Sequence, residues 1–101
     1  MSTASALTAA SVVVRASKIV EAEVDGEILM LSVETGNCYG LKAVGARVWE
    51  IAAQPVRVAD VCAALMQEYE IDHESCEGQV LELLGELRAE GLINLVDPAN
   101  P

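Results

Sequence analysis

Phenylalanine is absent from this chain of 101 residues, and Trp49, Tyr39 and Tyr69 are its only aromatic side chains. A core made without phenylalanine has to be aliphatic, built from Val, Leu, Ile and Ala. At this length it is one small core in one domain. Positive charge is scarce as well: Arg15, Lys18, Lys42, Arg47, Arg57 and Arg88 face sixteen acids, for a formal charge of −10. Phosphate contacts need Lys and Arg, so the composition weighs against nucleic acid. An anionic membrane surface would repel such a chain, whereas basic partners, basic peptides among them, would be steered toward it. No apolar run approaches the ~20 residues of a transmembrane helix. Residues Met1 to Val14 lack the basic start of a signal peptide.

Groups that do chemistry are few. Cys38, Cys62 and Cys76 are odd in number and share no close metal-type spacing, which argues against a disulfide framework or a zinc site. They read as small hydrophobes of a protein kept in a reducing cytoplasm. His73 is the single histidine and stands among acids, as a solvated residue at a helix start. Its i, i+3 spacing to Cys76 permits contact on a helix, but Cys76 falls on an apolar stripe and no third group orients the pair. Gly36, Gly40 and Gly45 do not form a phosphate cradle. Paired carboxylates have little meaning on so acidic a surface. No catalytic residue, metal site or cofactor is expected.

What is present is a change of period. The hydrophobic fraction of 52% argues for a folded chain despite the charge. Ile19 to Val24 alternates as a strand, Asp25-Gly26 is a two-residue hairpin signal, and Glu27 to Val33 returns. Glu34 to Asn37 is a second turn and Cys38 to Leu41 a third, short strand. The period then shifts from two to 3.6. Val44, Val48, Ile51 and Ala52 mark a first helix, ended by Gln54-Pro55. Val58, Val61, Cys62, Leu65 and Tyr69 mark a second, whose start is poorly capped by Arg57. Cys76, Val80, Leu83, Leu84 and Leu87 mark a third, with Asp72 as its cap, Glu74 and Glu77 near its positive end and Gly91 as its stop. Leu92 to Val96 adds a final short strand. The fold class is α+β: a three-stranded antiparallel β-meander followed by three helices, like a winged helix-turn-helix. The domain runs over residues 12–96, with a disordered N-terminal tail at 1–11 and a C-terminal tail at 97–101.

A winged-helix DNA binder needs a basic recognition helix, yet the third helix sets Glu74, Glu77, Glu82, Glu86 and Glu90 against Arg88. Protein binding remains. The meander has an edge, and unpaired N–H and C=O groups on an edge accept a strand from an extended peptide. Cys38 to Leu41, which carries Tyr39, is the best candidate. Leu81 lies off the centre of the third helix's buried stripe, as core margin or as a groove wall. Glu77, Glu82 and Glu86 beside it are a solvated face or partners for basic ligand residues.

Asp25-Gly26, Leu29 to Val33, Thr35-Gly36, Tyr39-Gly40-Leu41, Gly45-Ala46-Arg47-Val48-Trp49-Glu50, Val61, Leu65, Tyr69, Val80, Leu84, Leu87 and Gly91-Leu92-Ile93 stand in an order that resembles one family. It is the PqqD-like RiPP recognition elements, small proteins that bind the leader segments of ribosomally made, post-translationally modified peptides. The block from Tyr39 to Trp49 is most similar to the stand-alone recognition proteins of lasso-peptide biosynthesis. Lys42 departs from the family's Asn after Gly-Leu, Gln54-Pro55 from its Asp-Gly-like turn, and Arg57 from its Thr cap.

The resemblance implies a non-catalytic peptide chaperone. A leader would lie antiparallel along the third strand, in the cleft toward the third helix. The bound precursor would pass to a transglutaminase-like cysteine protease that removes the leader, and an asparagine-synthetase-like cyclase would finish the product. A radical-SAM enzyme would be the partner in the quinone-cofactor branch. The candidate binding residues are Asn37, Cys38, Tyr39, Gly40 and Leu41 for backbone pairing, Leu31, Val33, Tyr39 and Leu41 for pocket walls, and Val80, Leu81, Leu84 and Leu87 from the third helix, with Glu77 as a charge partner. A winged-helix regulator is the rival from another class.

Overall fold

The computed structural model describes residues 7–96. In chain order its elements are β1 (Val12–Arg15), β2 (Ile19–Val24), β3 (Glu27–Ser32), β4 (Cys38–Lys42), α1 (Ala43–Ile51), β5 (Val56–Arg57), α2 (Val58–Glu68), α3 (His73–Ala89) and β6 (Ile93–Val96). The expected meander is there, antiparallel and ordered β2-β3-β4. Asp25 and Gly26 join its first two strands with φ of 53° and 81°. Two left-handed residues are the signature of the turn whose twist matches a hairpin. At the second turn Gly36 is left-handed too, at φ 78°. The Thr35 N–H donates to Ser32 Oγ at 3.3 Å and the Asn37 N–H to Thr35 Oγ1 at 3.2 Å, which pins the start of β4.

A second antiparallel sheet, β5-β1-β6, is a difference from the sequence reading, which had only its last strand. β1 pairs with β6 from Val12↔Val96 to Arg15↔Ile93, and Val13 is fully buried. Residues 8–11, read as tail, are held by α2. Arg57 makes no side-chain cap, so the first N–H groups of α2 need other acceptors. The Val58 N–H donates to Ser11 O at 2.9 Å and the Ala59 N–H to Ala9 O at 3.0 Å. Leu7, read as tail too, packs against the core; the other tail positions, 1–6 and 97–101, lie outside the described residues.

Lys42 precedes α1 in extended conformation, and the left-handed residue at this junction is Ala43, φ 49°. α3 starts as expected: the Ser75 N–H donates to Asp72 Oδ2 at 3.1 Å. That bond holds the Asp72 carboxyl below its ordinary range. Gly91, φ 77°, ends the helix. Arg47 ties α1 to α2, donating to both Glu68 oxygens at 2.9 to 3.1 Å. The core is aliphatic, with Met30, Leu65, Leu84, Leu87, Leu92 and Ile93 around the one buried aromatic, Trp49. Its indole Nε1 donates to Glu21 Oε1 at 2.9 Å. Arg15 lies over the ring at 4.8 Å and donates to Glu21 Oε2 at 3.0 Å. This triad joins β1, β2 and α1. Among the described residues no helix is long and apolar enough to cross a membrane.

Candidate functional site

β4 is an edge strand, and its backbone groups divide by alternation. The Ser32 N–H donates to Asn37 O at 2.9 Å, and the register continues as Leu31↔Cys38, Met30↔Tyr39, Leu29↔Gly40 and Ile28↔Leu41. In an antiparallel ladder hydrogen-bonded pairs alternate with non-bonded ones. Asn37, Tyr39 and Leu41 therefore spend their backbone groups on β3. Cys38, Gly40 and Lys42 aim theirs at the free edge. The other edge of this sheet, β2, carries Glu21 and Glu23 on the face that turns toward the core, a charge placement that blunts strand addition. From Cys38 to Leu41 the β4 edge has no charged residue.

Three contacts set α3 beside this edge, running opposite to it. Gly91, past the helix end, lies against Thr35 in the turn before β4, with Thr35 Cγ2 3.6 Å from where a β-carbon would stand. Midway, the Tyr39 hydroxyl donates to Glu86 Oε1 at 2.7 Å. At the far end Gly45 leaves room for Leu41 and Leu83, whose methyl carbons lie 3.2 and 3.7 Å from its β-carbon position. There the groove opens into a cavity of about 250 Å³ between α1, the end of α2 and α3. Val44, Gly45, Val48, Leu65, Tyr69, Ile71, Cys76, Gln79, Val80 and Leu83 line it, mostly apolar. Around Tyr39 the surroundings are acidic: its phenol is held above its ordinary value first by its bond to Glu86, then by burial and the charges of Glu86 and Glu90.

Not all sequence candidates meet here. Tyr39 and Leu41 face the helices. Leu31 pairs with Cys38, one register position from Tyr39, so both lie on the opposite face, Leu31 at 40% exposure. Val33 is exposed in the turn beyond β3. Neither walls the groove. Val80, Leu84 and Leu87 are core, at 2%, 0% and 0% exposure, and of these only Val80 also reaches the cavity. Leu81 and Glu77 lie on the wrong flank. At 100° per residue Leu81 is about 160° around the helix from Leu83, and the charge of Glu77 acts on Cys62 in α2. Sequence reasoning missed Leu83 as a groove wall, together with Gly45 and Ile71; the usable signal was that Leu83 flanks the Val80–Leu84 stripe on the side of Glu86. Glu82 is exposed.

The thiols are poor nucleophiles where they are buried. Cys76 Sγ donates to the Cys62 carbonyl at 3.8 Å. Burial, and the Cys76 thiol beside it, push the Cys62 thiol up to about 11. His73 is exposed, with Nδ1 3.9 Å from Glu77. Among the described residues no three His, Cys, Asp or Glu side chains are grouped to hold a metal.

The site thus consists of a free, uncharged strand edge beside a helix, with an apolar cavity between the helices near one end, on a winged-helix-like fold. The family model described as "Coenzyme PQQ synthesis protein D (PqqD)" matches residues 27–93, and the chain belongs to that family. Two solved structures share the fold. TbiB1, in complex with the TbiA(beta) leader peptide, is 28% identical; the alignment covers 80% of this chain and 94% of that one, with a TM-score of 0.74. A lasso peptide synthetase B1, complexed with the leader peptide, is 22% identical over 81% and 96%, with a TM-score of 0.72. No curated protein matches the sequence.

Proposed function

We propose that this protein is a leader-peptide-binding recognition element without chemistry of its own, which takes the leader of a lasso-type precursor as a fourth strand on β4. The observation that carries this is the outward row of Cys38, Gly40 and Lys42 backbone groups on an uncharged edge beside α3, with the apolar cavity of α1, α2 and α3 close to its Leu41 end. The support from relatives is a structure 28% identical that holds a leader peptide. A strand added there places alternate side chains toward α3. One enters the cavity by Leu83 and Gly45, and another passes Tyr39, Glu86 and Glu90, where a basic residue is favoured. Main-chain bonds give affinity and the cavity gives selection.

The bound precursor would then be handed to a separate leader peptidase, a transglutaminase-like cysteine protease, with an asparagine-synthetase-like cyclase downstream. All of this fits a cytoplasmic protein. The test is fluorescence anisotropy with a labelled leader peptide encoded by the small reading frame nearest this gene. Saturable binding at micromolar concentration or below, lost when the apolar leader residues are scrambled, is the expected result. A folded protein that ignores this leader and instead shifts duplex DNA in a salt-dependent way would overturn the reading.

A further inference from the structure

A strand added to β4 has two faces. One set of its side chains turns toward α3, and the alternate set lies on the outer face of the meander. Between Cys38 and Leu41 the edge strand has no charge of its own on that outer face. A charge reaches it from the neighbouring strand.

The β3–β4 register pairs Glu27 with Lys42, Ile28 with Leu41 and Leu29 with Gly40. Ile28 and Leu41 are buried against the helices, so Glu27, Leu29, Gly40 and Lys42 share the outer face. Glu27 is half-buried. Among the described residues its carboxylate makes no hydrogen bond or ion pair, and Lys42, its cross-strand partner, makes no ion pair either. The carboxylate lies over Gly40 instead, with Oε2 2.5 Å and Cδ 3.5 Å from where a β-carbon would stand. The glycine leaves the space and the glutamate fills it. An unpaired carboxylate therefore sits over the residue whose N–H and C=O face the free edge.

An incoming strand lies about 4.8 Å from β4. The β-carbon facing Gly40 then stands about 5 Å from the place the carboxylate occupies, within easy reach of a long basic side chain. Opposite charges facing each other across strands attract, and like charges destabilise the pairing. An apolar side chain there would cover a carboxylate that has no partner, at the cost of its hydration. One residue thus favours one kind of peptide and penalises the others, which is what specificity requires.

We infer that Glu27 is a specificity-determining residue of the strand-accepting edge, selecting a lysine or arginine at the peptide position that faces Gly40 on the outer face. This role rests on the peptide reading and adds a second reading face to it, since the side chains turned toward α3 are the other alternate set.

The test is anisotropy with the labelled leader of the nearest small reading frame, each position replaced in turn by Lys and by Glu. In the wild type one position should prefer Lys over Glu by about tenfold, beyond the general preference that a charge of −10 imposes everywhere. In Glu27→Lys the preference at that position should invert, while the other positions change less than twofold. If that variant loses its far-UV dichroism, Glu27→Gln replaces it, and the preference should drop to the level of the other positions. Gly40→Ala displaces only the end of a flexible side chain; it should stay folded and flatten the same preference. A leader that binds with the same Lys-to-Glu ratios in the wild type and the Glu27 variant would overturn the inference and leave the peptide reading standing. A folded protein that binds none of these peptides would overturn both.

Discussion

The Tyr39 hydroxyl donates to Glu86 Oε1 at 2.7 Å, spanning the groove from edge strand to helix. The bond is close to solvent, so its net worth is at most about 1 kcal/mol. Tyr39→Phe should melt within a few degrees of wild type and keep leader affinity within about threefold, whereas Tyr39→Ala, which removes the groove floor, should lose tenfold or more. Calorimetry and anisotropy separate the two. A tenfold loss with Phe would mean that the hydroxyl itself contacts the ligand.

Backbone pairing has its own signature. Cys38 aims its N–H at the free edge, and Tyr39 spends its N–H on Met30. A proline is tolerated on an edge strand where the lost N–H faced solvent. Cys38→Pro should therefore remain folded and weaken leader binding about tenfold, while Cys38→Ser binds as wild type. Tyr39→Pro should lower the melting temperature instead, because it cuts the ladder within the sheet.

Leu83 and Leu81 are a matched pair on opposite flanks of α3. Leu83→Ala enlarges the cavity that Gly45 and Ile71 share with it and should cost tenfold or more in leader affinity. Leu81→Ala should stay within twofold by the same titration. Equal losses would place the peptide elsewhere on the helix.

Glu21 accepts from Trp49 Nε1 at 2.9 Å and from Arg15 at 3.0 Å. Glu21→Ala leaves the indole N–H of a 1% exposed tryptophan without its partner, so chemical denaturation should show a loss of about 1–3 kcal/mol. Glu21→Gln keeps an acceptor and should lose less.

High pH should destabilise the fold. Burial raises the Cys62 thiol from 9.0 to about 11, and Glu86 raises the Tyr39 phenol above 10.0. Both groups hold their protons more tightly folded than unfolded, so stability is intact below pH 9 and falls as pH climbs through about 11. Denaturant midpoints at pH 8 and pH 10.5 check this, and Cys62→Ala should flatten the decline.

The meander and the three helices were legible in the sequence because their signals are local. Asp25-Gly26 sets its own turn, Asp72 caps its own helix, and Gly91 takes its own left-handed conformation. β1 was not legible. Val12 to Arg15 neither alternates in polarity nor borders a turn signal, and its partner Ile93–Val96 is some eighty residues away. The groove was half legible. β4 announced itself as an edge, but which flank of α3 faces it depends on how the helix docks. Leu81 and Leu83 differ only in that. Leu31 failed for a related reason, since its facing follows from the register with Cys38 and not from its own apolar character.

The zipping of β1 to β6 brings Val12 and Val96 side by side, about 5 Å apart as paired residues are. The start of β1 and the end of β6 are thus neighbours, on a different sheet from the one whose edge is free. A module of that shape is portable. It can be spliced into the loop of another protein, or its strands reconnected in a new order, and the free edge of β4, on the other sheet, has no reason to notice.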